Sequence, residues 1–127
     1  MGEKAFGYMG AILRVNLSSK KVTIDNPDEI FYRKYMGGAN IALFYLFKLC
    51  PSIAKIDAYS PENVLVFSTS VLTGVPFPGN ARHTVAAKSP LTNGYVDSEA
   101  GGWGPALKST GFDAIVIEGA SEKPVYL

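Results

Sequence analysis

Between Leu72 and Arg82 the sequence reads "LTGVPFPGNAR", with two glycines, two prolines and one arginine in eleven residues. It then runs directly into a β-like stretch. Proline fixes φ and removes a backbone donor, so neither a helix nor a central strand crosses these residues. The stretch must be a loop, and a stiff one. Gly74 and Gly79 permit φ > 0 and let a ligand approach the backbone closely. Pro76 and Pro78 restrict the loop before anything binds, which lowers the ordering cost of binding. Successive N–H groups in such a turn form an anion-holding concavity. Arg82 adds a planar donor fork suited to phosphate or to the polar edge of a fused ring. A long hairpin loop with a surface arginine is the plainer alternative.

Around that loop the chain divides into short elements. Alternation from Leu13 on, the turn "SSKK" and then "VTIDN" predict a β-hairpin of Tyr8–Leu17 with Lys21–Asn26. Pro27 closes it, and Asp28 and Glu29 open a short helix to about Tyr35, broken by Gly37 and Gly38. From Ala39 to Cys50 large apolar residues fall on nearly every side of a helical wheel, which predicts a buried helix ended by Pro51. Strands are expected at Val64–Ser68, Arg82–Lys88 and Gly94–Ser98. "AGGWGPALKSTG" is a tight turn leading into a third helix, with Pro105 in its first turn and Gly111 at its C-cap. "DAIVIEG" is an apolar strand, and "KPVYL" begins another. Hairpins with about three helices, without regular βαβ alternation, predict an α+β fold with antiparallel β-sheets. A length of 127 residues predicts a single domain, 1–127.

Charge and composition exclude several function classes. Net charge is +1, from 12 basic and 11 acidic residues, so there is no basic stripe for nucleic acid and no pull toward an anionic membrane. The apolar stretch Ala39–Leu49 is too short to span a bilayer. Cys50 is the only cysteine, so the chain alone holds neither a disulfide nor a cysteine-ligated cluster. Met1–Gly10 carries no signal-peptide pattern, and a cytoplasmic setting is expected. The sequence stops at Leu127 within an apolar stretch, as a piece of something larger would.

A second candidate cluster is "DSEAGGWGP", Asp97 to Pro105, where Gly101, Gly102 and Gly104 crowd the start of a helix. Glu99 beside them is suited to accept hydrogen bonds from a ligand's amino groups, with a solvated or capping carboxylate as the alternative. Trp103 is suited to stack on a flat cofactor or to serve as a core or interface residue. His83, the single histidine, is read as structural, with a ligand contact as the alternative. No nucleophile–base set and no metal-ligand spacing is present. These residues describe a binding surface, not a reaction, and no catalytic residue is assigned.

Taken in order, "RVNLSSKKV", "YMGGANIALFYLF", "SPENVLVF", "LTGVPFPGNAR", "KSPLT" and "GGWGPALKSTGFDAIVIEGASEKPVYL" resemble the N-terminal domain of the tungsten-containing aldehyde ferredoxin oxidoreductases. The resemblance runs from about Tyr8 to Leu127, and family members are several times longer. It implies part of an antiparallel base domain on which a flat bis-pyranopterin lies, its dithiolene sulfurs holding tungsten or molybdenum. It implies a cofactor-binding role for Arg82, beside the loop's own candidate Gly79, and for Ser98, Glu99, Ala100 and Gly101 before the double glycine. It implies oxidation of aldehydes to carboxylic acids, with electrons passing through a [4Fe-4S] cluster to ferredoxin. The cluster's cysteines lie beyond this chain, and Cys50 matches none of them. The chain alone is therefore expected to be inactive and to need the remaining domains or subunit. The resemblance also implies a base domain duplicated about a pseudo-two-fold axis, of which this chain covers little more than the first half; a second copy is the other candidate for the missing half, since an unpaired apolar terminal strand is a template for pairing. The competing reading is a non-catalytic binding or assembly module that self-associates or pairs with a partner chain.

Overall fold

The computed structural model describes residues 7–127, so most of the Met1–Gly10 reading lies outside the described residues. Strands β1 (Ile12–Asn16) and β2 (Lys21–Asp25) form the expected hairpin. Helix α1 (Glu29–Tyr35) starts at Asp28, whose carboxylate accepts from the Phe31 N–H at 2.9 Å. Helix α2 (Ala39–Leu49) follows the Gly37–Gly38 break. Strands β3 (Val64–Ser68), β4 (His83–Lys88) and β5 (Tyr95–Ala100), helix α3 (Gly104–Ser109) and strand β6 (Ala114–Glu118) complete the chain.

All six strands join one sheet in the order β2-β1-β6-β3-β4-β5. The α+β class stands, with a single mixed sheet: four pairings are antiparallel, and β1 pairs with β6 in parallel. Hairpin spacing identifies only sequence neighbours, so a partner about a hundred residues away leaves no local mark. Lys123–Leu127, expected to begin another strand, carries none. Its Val125, Tyr126 and Leu127 are exposed, and the sheet's edges are β2 and β5 instead.

Residues paired across neighbouring strands share a face. One face carries Ile12, Ala114, Ser68 and Thr84 in register, and beside that row Val116, Val66 and Ala86. Helix α2 lies over this face and buries Ile41, Ala42, Tyr45 and Leu46 against it. The buried helix expected from its composition is therefore buried on one side only. Phe47 is 57% exposed, because the sheet covers a single stripe of α2, and α1 packs on its Phe44 through Phe31 and Tyr35.

The opposite face is largely apolar, turns polar at Ser98 on edge strand β5, and is covered at Phe67 by Trp103. One row runs Ile24, Leu13, Ile115, Phe67, Val85, and the next Val22, Val15, Ile117, Leu65. Ile24, Val22 and Leu65 are exposed and most of the others half-buried. The core thus lies between α2 and one side of the sheet, and the other side is left largely open.

Candidate functional site

The covered row that starts in the core at Ile12 turns polar as it reaches the far edge. Ser68 on β3, Thr84 on β4 and Glu99 on β5 follow one another across the sheet. They floor a cavity of about 280 Å³. Its walls are Gly38 and Ala39 at the start of α2, Ser70 and Thr73 at the foot of the Gly/Pro loop, and Gly79, Asn80, Arg82 and His83 at its return. The register that builds the core also delivers the polar groups of the site.

Gly79, Arg82 and Glu99, from two separate sequence clusters, meet in this cavity. Ser98 and Ala100 flank Glu99 on edge strand β5, and successive strand residues face opposite ways, so their side chains leave the cavity floor. Gly101 continues the strand outward and is exposed. None of these three lines the cavity.

The charged groups are poorly neutralised. None of the three ion pairs among the described residues involves Arg82, whose guanidinium stands exposed at the rim. Glu99 accepts from the Thr84 hydroxyl through Oε1 and faces no cation partner there. Ser68 Oγ donates to the Gly38 carbonyl at 2.7 Å, which fixes the chain where α2 begins. Gly38 provides no side-chain cap, and the N–H groups of residues 39–41 have no partner among the described residues. The site thus offers an unpaired guanidinium, a carboxylate and the uncapped start of α2, where Gly38 and Ala39 line the cavity at the positive end of the helix dipole.

The loop differs from expectation in one respect. Gly74 and Gly79 do adopt φ of +88° and +92°. Yet Gly74 donates to the Asn80 carbonyl at 2.9 Å, Val75 to Leu72 at 3.1 Å and Phe77 to Val75 at 2.7 Å. Those N–H groups hold the loop's own shape, while the N–H groups of Gly79, Ala81 and Arg82 on its return have no partner among the described residues. The start of α2 adds further free donors. The Gly37–Gly38 pair before a helix was a signal for this, of the same kind as the glycines at 101–104.

His83 and Trp103 lie in an aromatic cluster. Their rings meet edge to face with centroids 5.1 Å apart, and Trp103 packs on Phe67 in the same manner at 5.9 Å. His83 is buried and its Nδ1 has no hydrogen-bond partner. Behind the loop, Lys108 of α3 is buried and donates to the carbonyls of Gly7 and Ser70, both at 2.7 Å, and of Val71 at 3.3 Å. Burial pushes its ammonium below the usual lysine range, against the opposing pull of Asp113.

Residues 12–127 match the family described as the N-terminal domain of aldehyde ferredoxin oxidoreductase. The chain is 42% identical over 123 residues to the tungsten-containing aldehyde ferredoxin oxidoreductase of Pyrococcus horikoshii, covering 96% of this chain and 20% of that protein. It is 36% identical over 124 residues to the aliphatic sulfonate oxidoreductase WOR-like subunit of Pyrococcus furiosus, again over 96% of this chain and 20% of the relative. Among solved structures it resembles a chain of the active-site complex BamBC of benzoyl coenzyme A reductase with 1,5-dienoyl-CoA. That match has a TM-score of 0.87 and 31% identity, over 96% of this chain and 18% of the other. The chain therefore spans about a fifth of the length of the relatives it matches.

Proposed function

The chain belongs to the aldehyde ferredoxin oxidoreductase family, through its N-terminal domain, and on that premise we propose that it is the ledge on which a tungsten-bearing pyranopterin lies inside a larger oxidoreductase. The observation that carries this reading is the meeting of Gly79, Arg82 and Glu99 with the uncapped start of α2 in one cavity. The donor set fits such a group. Arg82 and the free N–H groups of α2 suit a phosphate or a ring carbonyl, and the Glu99 carboxylate suits ring amino groups. Edge strand β5 leaves backbone groups unpaired, so Ser98, Ala100 and Gly101 would extend the rim through main-chain contacts.

When bound, the metal on its pterin sulfurs would supply the oxidation of an aldehyde to a carboxylic acid and pass electrons through a [4Fe-4S] cluster to ferredoxin. The task of this chain is narrower. Its residues bind and orient the pterin and shield one side of it from water. Relatives named for aldehydes, for aliphatic sulfonates and for benzoyl coenzyme A carry the same domain. The shared domain then supports a common cofactor and does not recognise a substrate, which fits a site without a nucleophile–base pair.

The open sheet face calls for a cover, and we assign it to the polypeptide that completes the enzyme. A second copy of the chain is the competing occupant. The apolar C-terminal stretch offers such a copy no strand edge, because Lys123–Leu127 forms no strand. Light scattering separates the two: a monomer at high concentration excludes the second copy, and a stable dimer supports the assembly-module reading. The test of the main reading is Arg82→Ala in the assembled enzyme, with pterin and tungsten counted per polypeptide. Loss of both, with the fold intact, is the expected result; undiminished content contradicts it.

A further inference from the structure

We propose that helix α3 is the backstop that sets where Arg82 stands, with Gly104 and Lys108 as positioning residues for its guanidinium. The inference rests on the cofactor-ledge reading of the cavity and extends it to residues that do not touch the cavity's contents.

Three contacts of α3 reach both ends of the Gly/Pro loop. A Cβ at Gly104 would stand 2.7 Å from the Arg82 carbonyl oxygen, 2.9 Å from that of Ala81 and 2.9 Å from Thr73 Cγ2. The loop's return strand is therefore seated directly on the helix backbone, at a distance only glycine allows. Pro105, the next residue, backs Gly74, where a Cβ would meet it at 3.8 Å. One turn further, on the same helical face as Gly104, Lys108 holds the loop's outgoing strand by the carbonyls of Ser70 and Val71. A three-donor ammonium facing three carbonyls, with its charge buried and without an ion-pair partner among the described residues, is costly unless the geometry is kept.

Thr73 joins the two ends. Its hydroxyl accepts from the Ser70 N–H at 2.9 Å and donates to the Arg82 carbonyl at 3.3 Å. A shift of α3 thus reaches Arg82 by two routes, directly at Gly104 and through Lys108, Ser70 and Thr73. Among the described residues the guanidinium makes no bond that would hold it in place, so its position depends on its backbone.

The test is a double-mutant cycle in the assembled enzyme, this chain together with the polypeptide that completes it. The readout is the rate of pterin release, followed by oxidising the released pterin to its fluorescent form. Gly104→Ala forces a methyl into two backbone oxygens and is expected to speed release about tenfold, the scale of a displacement of roughly an ångström or less at a binding group. In an Arg82→Ala background the same change is expected to add little, because the residue it acts through is already gone. Thr73→Val, which keeps the volume, should speed release about fivefold as one lost hydrogen bond would, and Thr73→Ser should restore the native rate; because Thr73 also lines the cavity, this pair decides the matter, where Gly104→Ala does not fold, only when Thr73→Val adds little in an Arg82→Ala background. Unchanged release in both Gly104→Ala and Thr73→Val, or effects that multiply in full with Arg82→Ala, would overturn the inference alone. Unchanged release in Arg82→Ala itself would overturn the ledge reading and this inference with it.

Discussion

The Tyr32 hydroxyl donates to Oδ2 of Asp113 at 2.8 Å, joining residues 81 positions apart. The same carboxylate accepts from the N–H groups of Met9 at 2.9 Å and Gly10 at 2.8 Å. One buried side chain thus ties α1, the approach to β1 and the start of β6, where the parallel pair begins. Asp113→Ala is expected to cost at least about 2 kcal/mol, since each buried donor left alone costs about 1–3 kcal/mol. Tyr32→Phe should cost about 1.5–3 kcal/mol, the worth of a hydrogen bond to a charged group. Urea unfolding measures both.

Alkaline pH should weaken the fold. Burial raises the Tyr32 hydroxyl above the usual tyrosine range, with Asp113 adding to it; burial does the same for Tyr45, beside Asp25, and for Tyr95, near Asp97. Below about pH 10 folded and unfolded tyrosines both keep their protons, and this contribution is fully present. Above it the unfolded chain releases protons that the folded chain retains, so stability falls as pH rises. Lys108 acts the other way, because its lowered folded value makes the unfolded state the better proton binder up to about pH 10.4. Burial also raises the Cys50 thiol, which acts with the tyrosines, so with four groups against one the urea midpoint is expected to fall steadily above about pH 10. It should fall less steeply in Tyr32→Phe.

Arg82→Ala should separate binding from folding. The side chain is exposed and makes no ion pair among the described residues. Its removal should change stability by no more than about 0.5 kcal/mol while the assembled enzyme loses pterin. A large fall in the urea midpoint would give Arg82 a structural role instead.

Two neighbours on α2 should behave oppositely. Leu46 is fully buried and Phe47 is mostly exposed. Leu46→Ala is expected to cost about 2–5 kcal/mol, and Phe47→Ala in this chain alone no more than about 0.5 kcal/mol. Equal costs would mean that the outer face of α2 is covered in solution.

Much of this was legible in the residues, for reasons that vary along the chain. Periodicity and punctuation located β1, β2, α1, α2, β3, β4 and α3 closely, because caps such as Asp28 and breakers such as Gly37–Gly38 act locally. The parallel seating of β6 beside β1 was hidden, since nothing near Ala114 names a partner at Ile12. The one-sided burial of α2 was hidden too: a wheel that is apolar all round does not say which side finds a sheet. The loop's glycines and Arg82 were visible as a candidate site from their density alone. The roles of Gly38 and Gly104 were not, because a close approach between backbones is a property of two distant segments. Glycine content marks such a place without naming what comes near.

The most direct test is metal and pterin analysis of this chain purified from its native host together with every polypeptide bound to it. The cofactor-ledge account predicts that pterin co-purifies with tungsten, or with molybdenum in its place, in proportion to the chain. Finding neither metal nor pterin in the complete assembly would contradict it.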